Sequence, residues 1–197
     1  MVHDAPSVWN PANVVTMLRI AVVPVFAMAL LADGGHTVGG RVLATGLFVL
    51  AAASDRLDGW LARRSGQVTD LGKMLDPIAD KLLVGSALVL LSWLGDLWWA
   101  VTVLVLLREV GITVMRFFLL RYVVLPASRG GKLKTVLQAV AISLYLLPLD
   151  HLPAFVGWLA AAAMGVAVLV TVLTGLDYVR DAVRIRRAAG VPPAAGL

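Results

Sequence analysis

Residues 55–80 read DRLDGWLARRSGQVTDLGKMLDPIAD, placing four carboxylates, Asp55, Asp58, Asp76 and Asp80, at the abutting ends of two strongly apolar segments. At about 100° per residue, Asp55, Asp58, Gly59 and Ala62 fall within roughly 100° of one another on one helical face. Gly72, Asp76 and Asp80 share a face of the following segment in the same way. Arg56 lies about 100° or more from both acids of its own segment, so it does not readily neutralise them from within. The short break between the segments folds them side by side, and the two acidic faces can meet. At an effective dielectric near 20, each pair of carboxylates ~4 Å apart repels by about 4 kcal/mol. Four together require a cation or bound protons. The alternative is ion pairing with Arg63, Arg64, Lys73 and Lys81, since acids and bases over 55–81 number five each. Pairing alone gives no reason for the acids to share faces with Gly59, Ala62 and Gly72, which leave open space. The pattern points to a divalent metal site.

The 197-residue chain is 60% hydrophobic with a mean hydropathy of +0.89, more apolar sequence than a soluble domain of this length buries. Several apolar runs approach the ~20 residues needed to cross a ~30 Å hydrocarbon layer. The expected architecture is all-α: one membrane domain over 1–197, with six transmembrane helices at about 12–31, 41–62, 74–94, 98–120, 133–149 and 154–179. Pro77 implies a helix start near Asp76 or a kink there. With no cysteine, disulfides, thiolate metal sites and cysteine nucleophiles are excluded. The start, MVHDAPS, is not basic and the first apolar run carries Arg19, so no cleavable leader is expected.

The net charge of +5 follows membrane sidedness rather than a nucleic-acid surface, and no nucleic-acid partner is expected. Of 17 Lys and Arg, 11 lie in the 63–73 break, the 121–134 loop and the tail from Arg180, whereas the opposite loops contain only Arg41. That asymmetry puts both termini and the acidic cluster on the cytoplasmic side. Arg19, Arg56, Lys81, Arg108 and Arg116 remain within or at the edges of spans, where charges line a cavity or meet partners. Glu109 pairs with Arg116, seven residues on, or with a base on another helix. Arg108 is open between a structural pair and a functional role, while Arg116 points to an anionic substrate group. Lys132 and Lys134, in GGKLKT, either snorkel to the interface or approach an anionic substrate beside Gly130 and Gly131. His36 and His151 fall on the far side, away from the acids, and the six Trp read as interface belt or lipid contact.

The 55–80 stretch resembles the signature of the CDP-alcohol phosphatidyltransferases, D-x2-D-G-x2-A-R-x8-G-x3-D-x3-D. Asp55, Asp58, Gly59, Ala62, Arg63, Gly72, Asp76 and Asp80 fill all eight positions, and the six-span layout is similar as well. The resemblance implies transfer of a phosphatidyl group from CDP-diacylglycerol to an alcohol with release of CMP. It also implies two Mg²⁺ or Mn²⁺ ions and a homodimer in the cell membrane. Asp55, Asp58 and Asp76 match metal ligands; Asp80 matches the proton acceptor and also a metal contact. Gly59, Arg63 and Thr69 match positions contacting CDP, and Ala62 leaves room beside Gly59 for a flat nucleotide. NPANVVTMLR, residues 10–19, looks like the family's opening helix, which adds Asn13 and Thr16 as nucleotide contacts. ASRGGKLKT at 127–135 and LREVGI at 107–112 look like segments of members that use glycerol 3-phosphate. Arg116, Arg129, Lys132 and Lys134 then hold the acceptor phosphate. Inositol phosphate suits the same basic set and is the alternative acceptor. A divalent-cation transporter is the alternative from another class, but it predicts acids along a path and inverted repeats. Here the acids gather at one depth and no repeat is seen.

Overall fold

Apolar residues at three- and four-residue intervals, interrupted by short Gly- and Pro-containing breaks, divide the chain into helices. The computed structural model describes residues 11–65, 70–119 and 129–188, except the side chains at 11–12, 55–65, 70–71, 73–74, 116–119, 129–132, 181–182 and 185–188. Among the described residues are six α-helices and no strand: α1 Pro11–Leu31, α2 Val38–Ser65, α3 Asp70–Trp93, α4 Trp99–Leu119, α5 Arg129–Leu146 and α6 Ala154–Ala188. Single 3₁₀ turns sit at Ala32–Gly35 and Leu149–His151. Proline opens α1, where a missing N–H leaves no intrahelical bond unmade.

Helix α1 packs along α2 and α3, α5 packs along α6 and α2, and α4 bridges α3 and α6. The inward faces follow helical spacing: Ala44, Phe48 and Ala51 on α2, Leu83, Ala87 and Leu91 on α3, and Ile142 and Leu146 on α5 are all buried. Phe26 of α1 meets Phe48 of α2 with ring centroids 6.0 Å apart and planes tilted by 48°. This core fixes how α1, α2 and α3 lie against one another.

The outer faces are apolar too. Leu18, Met28, Leu50, Leu107 and Leu169 are all exposed. A soluble monomer rarely shows such continuous apolar surface, whereas in a bilayer it faces lipid. Two stretches, Asn13–Gly35 and Ala154–Arg180, are long and apolar enough to cross a membrane, and α2 and α5 carry shorter apolar runs. The all-helical membrane architecture is thus as expected.

The helix ends differ from expectation at several points. Helix α2 begins at Val38 rather than near 41, taking in Gly39 and Gly40. A Cβ on Gly40 would lie 2.8 Å from the Ala29 carbonyl oxygen, so the glycine permits α1 and α2 to approach closely. Helix α3 begins at Asp70 and runs through Pro77, so the start near Asp76 is not seen. Helix α5 begins at Arg129, and α6 continues to Ala188, well into the expected tail, because no Gly or Pro interrupts the chain there.

At the end remote from the acids, Arg41 is buried. Its Nε donates to the Gly35 carbonyl at 2.7 Å, and its Nη2 meets Asp96 at 2.6 Å. Its Nη1 donates to the Tyr145 carbonyl at 3.4 Å. One guanidinium thus ties the α1–α2 turn to the α3–α4 turn and to the end of α5. Gly35, at φ +80°, sits against Leu94 with no room for a side chain.

Candidate active site

Helix α1 is apolar except for a stripe at three-residue spacing, Asn13, Thr16 and Arg19, which is turned inward and buried. Polar groups taken out of water need partners, and these find them on the two acid-bearing helices. The Thr16 hydroxyl donates to Asp76 Oδ1 at 2.7 Å. Arg19, only 2% exposed, donates through Nε to Ser54 Oγ at 3.2 Å, one residue before Asp55. Ser54 in turn donates to the Ala51 carbonyl at 2.8 Å. The first helix therefore clamps α2 and α3 where their acids are carried.

Asp76 and Asp80 lie one turn apart on α3. Among the described residues no Lys or Arg pairs with Asp76, and Lys81 donates to Thr113 Oγ1 at 2.6 Å rather than to an acid. The ion-pairing alternative therefore gains nothing from Asp76 or from Lys81. Asp80 lines a cavity of about 630 Å³ between α2, α3, α4 and α5, together with Lys81, Glu109 and Lys134. Away from these charges the cavity wall is mainly apolar, with Val49, Val84, Val140 and Leu144 among its residues and Thr45, Thr135, Gln138 and Ser143 interspersed.

Lys134 is buried and its ammonium pairs with Glu109 Oε1, which also accepts from Arg108 Nη1 at 3.0 Å. Arg108 Nη2 reaches Thr174 Oγ1 at 2.9 Å, coupling α4 to α6. Glu109 thus takes the second of the two expected options, a base on another helix. For Arg108 the structural pair is what the geometry displays.

The other expected site residues fall at the same end of the helices. Asp55, Asp58, Gly59, Ala62 and Arg63 occupy the last turns of α2, Arg116 the end of α4, and Arg129 and Lys132 the start of α5. Their side chains lie outside the described residues, as does Thr69 altogether. Among the described side chains no three acids or histidines gather at one point. The donor set itself suits a hard divalent cation: the quartet supplies carboxylate oxygens only, and Asp76 is already oriented by a neutral hydroxyl. Arg19, Ser54, Glu109 and Gln138 were not singled out as site residues from the sequence. For Arg19 the legible signal was its register with Asn13 and Thr16.

The pattern of the CDP-alcohol phosphatidyltransferase family matches residues 9–173. The chain belongs to that family. It is therefore an enzyme, and the transporter alternative is set aside. This phosphatidyltransferase is 54% identical over 175 residues to the Mycobacterium tuberculosis (strain H37Rv) protein named "Probable phosphatidylglycerophosphate synthase", covering 89% of this chain and 82% of the relative. It is 37% identical over 178 residues to the Rickettsia bellii protein named "CDP-diacylglycerol--glycerol-3-phosphate 3-phosphatidyltransferase", covering 86% and 93% of the two chains. The Bacillus subtilis protein of the same name is 36% identical over 184 residues, with 86% and 93% covered.

Proposed function

We propose that this phosphatidyltransferase transfers the phosphatidyl group of CDP-diacylglycerol to glycerol 3-phosphate, giving phosphatidylglycerophosphate and CMP. The observation that carries the reading is the shared cavity of Asp80 and Lys134, in a chain whose relatives are named for this reaction. The acceptor hydroxyl oxygen bonds to the phosphorus bearing the diacylglycerol, the bond from that phosphorus to the CMP oxygen breaks, and the hydroxyl proton passes to the Asp80 carboxylate. Asp55, Asp58, Asp76 and Asp80 would hold two Mg²⁺ or Mn²⁺ ions. Such ions offset pyrophosphate charge and stabilise the leaving oxygen. Thr16 fixes the Asp76 carboxylate for that task, and Arg19 steadies α2 beside Asp55.

Asn13, Thr16, Gly59, Ala62, Arg63 and Thr69 form the CDP site in this reading. Arg116, Arg129, Lys132 and Lys134 receive the acceptor phosphate. An ammonium has three donors, so the bond from Lys134 to Glu109 leaves two for a phosphate. All six helices cross the membrane, with both termini and the acids on the cytoplasmic side, and the enzyme works as a homodimer. The Lys and Arg distribution supports the orientation. The relatives described above are named for glycerol 3-phosphate or its lipid product, which leaves inositol phosphate the weaker acceptor reading.

The test is CMP release by the purified full chain in mixed micelles with CDP-diacylglycerol and Mg²⁺. Release dependent on glycerol 3-phosphate and absent with inositol phosphate is expected. Release with inositol phosphate alone would overturn the acceptor assignment.

A further inference from the structure

Gln138 lies on α5 one turn, about 6 Å, beyond Lys134 on the same face. It lines the cavity, is only 4% exposed, and its amide nitrogen has no hydrogen-bond partner among the described residues. Arg108 Nε is likewise unpartnered among these residues, but its guanidinium is held through Nη1 by Glu109 and through Nη2 by Thr174. Thr16, Arg19, Arg41, Ser92 and Thr171 all have bonds within the chain. A buried donor left unpaired is costly, so this amide calls for a partner from outside the chain. The carboxamide stands at a junction in the cavity wall. Asp80, Glu109 and Lys134 lie to one side; Val140 and Leu144 continue along α5 to the other, with Ser143 between them, whose hydroxyl already donates to the Ala139 carbonyl at 2.8 Å. Over α5 the cavity runs from Lys134 to Leu144, about 15 Å at 1.5 Å per residue.

We propose that Gln138 is a specificity-determining residue for the lipid substrate, its amide N–H donating to an ester carbonyl oxygen of the diacylglycerol. The inference rests on the functional reading above. A diacylglycerol phosphate has charged oxygens at one end and hydrocarbon at the other. Between them it offers two ester groups, which only accept hydrogen bonds. A neutral donor at the junction of charged and apolar wall suits that middle section, and being uncharged it needs no counterion at membrane depth. The acceptor alcohol is polar throughout and belongs with the basic residues at the charged end.

The test compares CDP-diacylglycerol with its diether analogue of equal chain length, which lacks the carbonyls. Assays use mixed micelles with Mg²⁺ and varied glycerol 3-phosphate. A net bond of about 1 kcal/mol corresponds to a preference of roughly fivefold to tenfold in kcat/KM for the ester lipid. Gln138→Leu is expected to bring that preference to about twofold or less, with the loss falling on the ester lipid and the KM for glycerol 3-phosphate unchanged. A wild-type chain that uses both lipids equally well would overturn the inference without recourse to any variant. So would a Gln138→Leu chain that keeps the ester preference while its KM for glycerol 3-phosphate rises, which would move Gln138 to the acceptor. A wild-type chain inactive on both lipids would overturn the functional reading and this inference with it.

Discussion

Thr16 shows how a single hydroxyl on a largely apolar helix can be buried. Its bond to Asp76 Oδ1 holds one carboxylate of the quartet in a fixed orientation. Groups that orient metal ligands typically contribute 10–100-fold to metal affinity. Thr16→Val keeps the shape and deletes the donor, so the Mg²⁺ concentration for half-maximal activity is expected to rise about tenfold. An unchanged metal requirement would separate Thr16 from the metal. Asp80 is predicted to act differently. Asp80→Asn keeps the size and removes the proton acceptor, so turnover should fall by about 10²–10⁴-fold. Mn²⁺ binding followed by electron paramagnetic resonance should be largely retained, and near-normal turnover would remove Asp80 as the base. Both acids and Thr16 were legible as residue types in a spacing. The bond between Thr16 and Asp76 was not, because it joins positions 60 apart and depends on how α1 crosses α3.

At the scale of elements, the sequence disclosed six helices because long apolar runs and Gly-Asp or Pro breaks are strong local signals. Their ends were less legible. Glycine suggests a turn by propensity, yet Gly39 and Gly40 lie inside α2, where the absence of a Cβ at Gly40 admits the α1 backbone. Pro77 suggests a helix start, yet α3 begins at Asp70, nearly two turns before Pro77, and continues through it. By its place in the sequence Arg41 is a loop cation on the far side. It is buried and joins three connections because Gly35, Asp96 and Tyr145 converge on it. Arg41→Leu leaves Asp96 without its cation and is expected to destabilise the fold by about 2 kcal/mol. Thermal unfolding in detergent measures this. Activity well below the transition should change less than about twofold, since the acids lie at the opposite helix ends. A large loss of activity without loss of stability would contradict that separation.

For the whole molecule, polarity is arranged by end. Trp93, Trp98, Trp99 and Trp158 are exposed where α3 ends and where α4 and α6 begin, as an interfacial aromatic belt requires. The acids and the basic segments lie at the other ends of those helices. Because the chain has no cysteine, single cysteines report sidedness cleanly. Asp33→Cys and Asp150→Cys are expected to react with an impermeant maleimide from outside intact cells, and Arg184→Cys only after permeabilisation. The opposite labelling would reverse the proposed orientation.

The central claim is that the facing ends of α2 and α3 hold divalent ions for phosphatidyl transfer. Anomalous diffraction from crystals of the full chain soaked in Mn²⁺ tests it most directly. The account predicts manganese bound among the carboxylates of Asp55, Asp58, Asp76 and Asp80. Carboxylates turned apart, or each bonded to an arginine or lysine with no manganese between them, would contradict it.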